Sequence, residues 1–416
     1  MNFKHVLRLS LWCVALLAAA SCNSSEPLPD IEQSHTFTSS KLRLTYCGET
    51  MPAKVVTATP DGADALTLTA EGITDLSMLS SMGLSGTAPA PGVLPGSPVV
   101  TLPAKLKASG SKYIFEGSGA SDFCSSFAYS GFLEGDSLIL NIDNVVLSND
   151  CLSGSIWTPV PFRQEGLSVK STPFHLLWEI DPTAGIDIDL TGALETLVTL
   201  PIIPVYQHTA YSSVAQLLSM SLQTVAFNQN GNIFVRYFSS VGGATQLMTS
   251  TGNTLQYVVL GDKYMRLYPN PTTLFGLWLV AQSDSAGIPD ISFTKAADDS
   301  SDSRKELLET LMPLVKSMLP SVLEMTREGI PLEMSKSDAS LDIYLNTDLI
   351  LTLLQQLATA VNENPDVIAK LMGMAAADAE MAELLSTLQQ LLPRIDALLK
   401  ATTRMEIGLS FNKYQQ

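Results

Sequence analysis

The chain has 416 residues, of which 46% are hydrophobic and 16% are charged, and its formal net charge is −17 at pH 7. A chain of this length can bury a sizeable core and form roughly two or three domains. The strong negative charge repels nucleic acid and anionic lipid headgroups, and this excludes both as partners of the folded protein.

The N-terminus has the composition of an export signal that ends in a lipidation site. Lys4 and Arg8 give a basic start, residues 9–20 are mostly apolar, and small residues precede Cys22. The apolar stretch is too short to cross about 30 Å of hydrocarbon. The letters "AASC" resemble a bacterial lipobox, so we expect residues 1–21 to be a lipoprotein signal peptide and Cys22 to be acylated. An ordinary secretory signal is the alternative.

Residues 22–35 are polar and contain proline, which is typical of a tether between a lipid and a folded domain. No second stretch approaches about 18 uninterrupted apolar residues, so the acyl chains would be the only membrane anchor. The sequence therefore predicts a lipid-anchored protein of the bacterial cell envelope, in the outer membrane. It leaves open which face of the membrane carries the protein and which proteins bind it.

The cysteines predict neither a metal site nor a cofactor, because no CxxC pair or Cys/His cluster occurs. Cys124 and Cys151 flank a predicted hairpin, and export would permit a disulfide between them. The alternative is that each is a small buried hydrophobic side chain. The state of Cys47 is left open.

Residues 36–165 predict an antiparallel β domain. Segments such as "ALTLTAEG" and "SKYIFEGSG" place apolar residues between Gly, Ser and Asp turn residues. The Pro/Gly-rich residues 85–98 predict a surface loop. Hairpin turns are expected at Ser109–Ser111 and, in the second half of the chain, at Asn230–Gly231.

A polar turn, an apolar strand and a closing Asn occur three times, at residues 135–144, 261–270 and 337–346. Hairpins precede the first two copies, so both halves resemble a two-hairpin meander. An internal duplication explains this pattern. The alternative is that all antiparallel meanders share the same succession of turn and strand residues. The third copy is expected to pair with the last strand of the chain.

Residues 166–416 are predicted to form an α+β domain. Its parts are a β meander at 220–270, helices at 305–328 and 347–400, and a terminal strand at 404–413. Residues 349–361 are apolar almost all round, so a helix there must be enclosed by protein or by ligand. The predicted fold class is therefore α+β, with antiparallel β meanders packed around or against apolar helices, and the helices concentrated in the C-terminal third.

The sequence predicts no enzyme. Nucleophile-elbow, phosphate-loop and dinucleotide motifs are absent. If residues 186–190 form a strand, Asp187 and Asp189 share one face, where carboxylates bind calcium, hydrolyse a glycoside or simply face solvent. We favour the solvated face and nominate no catalytic residue and no metal ligand.

The C-terminal third is rich in methionine, and flexible thioether side chains fill irregular cores or line apolar pockets. We predict that helices within 305–400 border an apolar cavity that holds an acyl chain or a similar lipid-like ligand. Its predicted lining residues are Leu353, Leu357, Met372 and Met381. A fully packed interior is the alternative, since dense cores also need apolar helices.

The alternative function is a surface module that binds glycans or proteins. Glycan sites usually stack sugars on exposed aromatic side chains. The mature chain has only three tryptophans, Trp157, Trp178 and Trp278. The scarcity of tryptophan favours an apolar ligand over a sugar.

Several segments resemble an uncharacterised family of Bacteroidales envelope lipoproteins. They are "AASC", "GVLPGSPVVTLPAKLKASGSKYIFEGSG", "SVAQLLSMSLQTVAFNQNGNIFVRYFSS" and "GIPLEMSKSDASLDIYLN". This resemblance implies a location and a fold but no catalytic residue. Curved sheets around long apolar helices are also similar, in architecture alone, to the lipid binders that resemble bactericidal permeability-increasing protein.

Overall fold

The computed structural model describes residues 28–77, 85–166, 168–185, 189–200, 203–204, 211–241, 244–272, 314, 317–364 and 395–415. Strands make up most of these residues. Those of the N-terminal part are β1 (His35–Thr38), β2 (Leu42–Tyr46), β3 (Glu49–Thr50), β4 (Lys54–Pro60), β5 (Ala65–Asp75), β6 (Thr87–Ala90), β7 (Val99–Lys105), β8 (Lys107–Ser109), β9 (Lys112–Gly119), β10 (Cys124–Glu134), β11 (Ser137–Leu147) and β12 (Ser155–Pro159).

The remaining strands are β13 (Arg163–Glu165), β14 (Ser168–Ser171), β15 (Phe174–Ile180), β16 (Ile203–Pro204), β17 (Tyr211–Ser212), β18 (Leu222–Phe227), β19 (Ile233–Val241), β20 (Ala244–Thr249), β21 (Leu255–Leu260), β22 (Tyr264–Pro269), β23 (Ile330–Lys336), β24 (Ser340–Leu345) and β25 (Thr402–Lys413). The helices are α1 (Leu190–Thr199), α2 (Val214–Ser221), α3 (317–328), α4 (Thr347–Glu363) and α5 (Ile395–Ala401), with short 3-10 helices at Ser39–Lys41 and Pro182–Ala184.

Three large sheets organise these strands. A five-stranded sheet has the order β1-β4-β5-β6, with β7 also paired to β5. A six-stranded sheet has the order β3-β2-β11-β10-β9-β8, in which β2 and β11 run parallel. A ten-stranded sheet has the order β20-β19-β18-β12-β25-β24-β23-β22-β21, with β15 also paired to β25. Two small two-stranded sheets, β13-β14 and β16-β17, complete the strand pairings of the described residues.

One hydrophobic core joins the three sheets. Alternate residues of each strand face it, and on β11 the side chains of Leu138, Leu140 and Ile142 are completely buried. The buried cluster extends along the chain from Phe37 to Phe411. Alternation with a period of two is what a strand with one buried face and one solvated face produces.

The predicted α+β class is wrong, because the protein is mostly β. Since α1 and α2 lie in the middle of the chain, the helices are not concentrated in the C-terminal third. The apolar residues 349–361 do lie in a helix, but α4 contacts mainly β25 and is not wrapped by the sheets. The sheets bury their apolar faces against one another, so the core does not need an enclosed helix.

The Pro/Gly-rich residues 85–98 are not the surface loop that their composition predicts. They contain β6, and Val93 and Leu94 are completely or almost completely buried. The Nζ atom of Lys54 donates a hydrogen bond of 2.6 Å to the carbonyl oxygen of Pro91. Tertiary packing therefore draws this segment into the core, which turn-residue composition does not reveal.

The two sequence-predicted domains, 36–165 and 166–416, share this core. The strand β12 lies before residue 165, yet it pairs with β18 and β25 of the ten-stranded sheet. The third copy of the repeated pattern lies in β24, and the predicted pairing of this copy with the last strand is confirmed, with Leu341 opposite Phe411.

Candidate functional site

The open face of the six-stranded sheet carries a trough of about 420 Å³. Its lining residues are Glu116, Gly117, Ser118, Ala128, Tyr129, Ser130, Asp143 and Asn144. They come from β9, β10 and β11, which lie side by side in the sheet. The trough therefore lies on hydrogen-bonded strands, which hold side chains more rigidly than loops do.

Strand register places the trough residues in two rows across the sheet. The first row has Ser118 and Asp143 on either side of Ala128. Directly opposite residues of antiparallel strands project from the same face of a sheet. The small side chain of Ala128 lies between those of Ser118 and Asp143 and forms part of the floor of the trough.

The second row has Glu116 and Asn141 on either side of Ser130, with Thr45 of β2 beyond Asn141. The hydroxyl of Thr45 donates a hydrogen bond of 2.8 Å to the Oδ1 atom of Asn141. This bond orients the amide, so that its Nδ2 group remains available as a donor. The two rows together offer carboxylate acceptors, hydroxyls and one amide donor.

An irregularity in β11 brings two consecutive residues to the trough. The pairing of β10 with β11 shifts between Ser126 and Ala128, and Asn144 adopts a φ of 53°. In a regular strand, Asp143 and Asn144 would face opposite sides of the sheet. A bulge redirects one side chain, and bulges of this kind are common beside functional sites.

The floor of the trough is anchored from below. The hydroxyl of Tyr129, which points to the core side, donates a hydrogen bond of 2.5 Å to the carbonyl oxygen of Pro103 in the five-stranded sheet. A Cβ atom on Gly117 would lie 2.3 Å from that hydroxyl, so Gly117 is what allows the tyrosine to cross beneath β9. Burial raises the pKa of Tyr129, which stays a neutral hydrogen-bond donor.

A second cavity, of about 390 Å³, lies where β3 meets the turn between β20 and β21. Its polar groups are engaged in joining two sheets: Asn253 Nδ2 donates to the carbonyl oxygens of Glu49 and Thr50, at 3.1 and 3.3 Å. The Gly252 amide donates to Glu49 Oε2 at 2.9 Å. These groups are already paired, whereas the buried Oδ1 atom of Asn253 has no hydrogen-bond partner among the described residues.

A buried polar cluster lies on the ten-stranded sheet around Glu406, which is 5% exposed. Its two carboxylate oxygens lie 2.7 Å from Nε2 of His175 and 2.7 Å from Nε of Arg404. The hydrogen bond to Glu406 raises the pKa of Arg404. The His175 ring stacks on Tyr344 with 4.4 Å between centroids. With both oxygens of Glu406 occupied, the cluster serves to tie β15, β24 and β25 together.

The predicted apolar pocket falls only partly within the described residues. Leu353 is half-buried in α4, and Leu357 is 36% exposed. Met372 and Met381 lie outside the described residues, and so does the predicted lipidation site Cys22. The pocket and the anchor therefore stay predictions.

The described cysteines are free thiols. Cys124 is completely buried, while Cys47 and Cys151 are half-buried. The predicted bridge between Cys124 and Cys151 is not formed in the structure. Burial raises the pKa of the Cys124 thiol, so the structure gives it the alternative role, that of a small core side chain.

In the described part of the acidic stretch at 179–189, the aspartates lie at helix starts. Asp189 caps α1 and accepts a hydrogen bond from the Gly192 amide, while Asp181 caps a 3-10 helix. Asp187 lies outside the described residues. Aspartate at these positions satisfies the free amides of a helix start, which is a structural role.

Two further findings concern the described residues alone. They contain no group of three or more His, Cys, Asp or Glu side chains arranged to hold a metal ion. None of their helices is long and apolar enough to cross a membrane.

Sequence reasoning did not select the trough residues. Asn141, Asp143 and Asn144 belong to the first copy of the repeated pattern, where they mark only the end of a strand. The alternation of polar residues in "NIDN" indicates that they face outward. It does not show which residues lie beside them, because their neighbours Glu116 and Ser130 come from other strands. Comparisons with protein-family models, with curated proteins and with solved structures find no match for this chain.

Proposed function

We propose that this chain is a lipid-anchored protein of the bacterial cell envelope that binds its ligand without catalysis, and that the trough binds a carbohydrate. The observation that carries the proposal is the trough itself. Glu116, Asp143 and Asn144 line it and provide acceptors and an amide donor around a floor of small residues, and Asn141 lies in the adjoining second row. Sugar hydroxyls both donate and accept hydrogen bonds, so they match such a mixed set.

The charge of the site narrows the ligand class. Glu116 and Asp143 are both acidic, and the whole chain carries a formal charge of −17. Uronic acids and other anionic sugars would be repelled, so the proposal is for neutral or amino sugars. Trp157 is 1% exposed and cannot stack a sugar, so recognition by the trough depends on its polar contacts.

Isothermal titration calorimetry with neutral and amino oligosaccharides tests this function. The probes are malto-, cello-, xylo-, manno- and chito-oligosaccharides. Replacing Glu116→Gln together with Asp143→Asn is expected to weaken binding at least tenfold, since a hydrogen bond to a charged group contributes about 1.5–3 kcal/mol. The matched control is Glu71→Gln with Asp338→Asn, which makes the same charge change at exposed positions elsewhere.

Two outcomes would contradict the proposal. Wild-type protein that binds none of these sugars excludes carbohydrate as the ligand. Equal affinities of the trough variant and the control variant would show that the sugar binds elsewhere on the protein.

The anchor is tested separately. The basic, apolar and small-residue segments before Cys22 support acylation of this cysteine. Wild-type protein should partition into detergent when expressed in a bacterium that lipidates exported proteins, whereas Cys22→Ala should remain in the aqueous phase. Release of both proteins into the aqueous phase would contradict the proposed anchor.

An apolar or lipid-like ligand is the second candidate function. It is favoured by α4, where Leu353 is only half-buried and Leu357 is 36% exposed. Apolar side chains left uncovered in this way gain free energy when a ligand covers them. Native mass spectrometry of purified protein would detect a lipid that co-purifies, and a mass without ligand would count against this candidate.

A further inference from the structure

A third row of side chains continues the trough along the same sheet face. It consists of Ile114, Phe132 and Ile139 on β9, β10 and β11, which are directly opposite one another. Arg43 of β2 follows beside Ile139. Ile114 is 37% exposed, and Phe132 and Ile139 are half-buried. An apolar row thus follows two polar rows on an open sheet face.

The ring of Phe132 presents one of its faces to the solvent side. The Nζ atom of Lys112 lies 4.4 Å from the ring centroid, in a cation–π contact. A hydrated ammonium group occupies this position only if the ring face is not packed against the core. The ring is therefore a flat platform with a flexible side chain above it, and a ligand can displace that side chain.

We propose that this third row is a second subsite, which stacks a further sugar ring of an oligosaccharide held in the trough. The inference rests on the proposed carbohydrate function. A pyranose ring has an apolar C–H face and a rim of hydroxyls. The apolar face fits the ring of Phe132, and the rim reaches the hydrogen-bonding groups of the second row.

The spacing of the rows supports a chain-like ligand. Residues two apart in a strand are about 6.8 Å apart, so the second and third rows are separated by somewhat more than the length of one sugar residue. An oligosaccharide that runs parallel to β10 would place successive rings above Ser130 and Phe132. Lys107 lies opposite Ile114 at one end of the apolar row and Arg43 lies beside Ile139 at the other, while Lys112 lies over Phe132. All three side chains can donate hydrogen bonds to sugar oxygens.

The expected consequence is affinity that grows with chain length. Calorimetry with the malto-, cello-, xylo-, manno- and chito-oligosaccharides, from monosaccharide to hexasaccharide, measures this growth. Wild-type affinity should rise about three- to tenfold when the chain becomes long enough to reach Phe132. Phe132→Ala should abolish that rise and leave the affinity for the shortest ligand unchanged, whereas Phe132→Trp should retain the rise.

Phe132→Leu provides a second variant that keeps apolar volume without an aromatic face, in case the alanine variant fails to fold. It should also lose the rise with chain length. If the affinity of Phe132→Leu grows with chain length as in wild type, the second subsite is refuted and the trough function stands. If wild-type affinity does not depend on chain length, the subsite is also refuted. If wild type binds no sugar at all, both the function and the subsite fall.

Discussion

The buried amine of Lys54 makes the stability of this protein depend on pH, and replacing it with methionine should remove that dependence. Lys54 is 5% exposed, and its Nζ atom donates one hydrogen bond, to the Pro91 carbonyl oxygen. Burial lowers the pKa of Lys54 from 10.5 to about 7. Methionine has a similar unbranched shape and no charge to desolvate.

The magnitude follows from the difference between the folded and unfolded pKa values. The pKa of Lys54 falls from 10.5 in the unfolded chain to about 7 in the folded one. Since one pKa unit corresponds to about 1.4 kcal/mol, burying the charged amine costs about 5 kcal/mol. The unfolded chain binds a proton that the folded chain lacks between pH 7 and 10.5. Stability therefore rises with pH in this window, while below pH 7 both states are protonated and the full cost applies.

Urea unfolding at pH 6, 7, 8 and 9 measures the effect. At pH 6, Lys54→Met should have a larger free energy of unfolding than wild type. The gain should be smaller than the full cost of burying the charge by about 1–3 kcal/mol, because the Pro91 carbonyl oxygen loses its donor. This advantage should shrink by about 2 kcal/mol between pH 7 and 9. Other titrating groups cancel, because the comparison is between two nearly identical proteins.

The control variant is Lys107→Met, since Lys107 is exposed on β8. Its difference from wild type should not change with pH. If the difference between Lys54→Met and wild type is also constant from pH 6 to 9, then Lys54 titrates as an ordinary lysine. That result would refute the burial argument.

Two further predictions follow from the ten-stranded sheet and the cysteines. A Cβ atom on Gly408 would lie 2.0 Å from the Ile343 carbonyl oxygen and 2.4 Å from the Tyr344 Cα atom. Gly408→Ala should therefore lower the free energy of unfolding, measured in urea, by about 2 kcal/mol or more. The control Asn412→Ala, at an exposed position of β25, should not lower it. Equal midpoints for the two variants would contradict the predicted clash. Cys124 and Cys151 are free thiols, and their reactivity can be measured in protein that carries Cys22→Ala. Cys124 should react with a thiol reagent only after unfolding, and the unfolded protein should react at all of its mature cysteines without a reductant. Two cysteines that stay unreactive would instead reveal the bridge.

Local hydrogen bonding allowed several elements to be predicted from the sequence. The turns at Ser109–Ser111 and Asn230–Gly231 form hairpins, with Ser109 opposite Lys112 and Phe227 opposite Ile233. Glycine at each turn adopts a positive φ, which other residues rarely do. Such signals depend on neighbouring residues, so sequence reasoning finds them.

The class of the fold was not predictable in the same way. Residues 349–361 form a helix, as their apolar composition indicates, but the sequence does not say what covers that helix. An apolar segment is compatible both with a helix that the sheets enclose and with a helix that packs against one strand of a sheet. The burial of Val93 and Leu94 in a Pro/Gly-rich segment was missed for the same reason.

The trough separates what the sequence by itself determines from what the tertiary structure decides. Alternation along β9, β10 and β11 determines that each strand has one apolar and one outward face, because side chains of a strand alternate with a period of two. Register decides which outward residues meet: Ser130 lies between Glu116 and Asn141, which are distant in sequence from one another. A shift of one residue in that pairing would send the same carboxylates to the core side. The sequence of each strand determines which polar side chains face outward. Only the folded sheet brings those side chains together as a site.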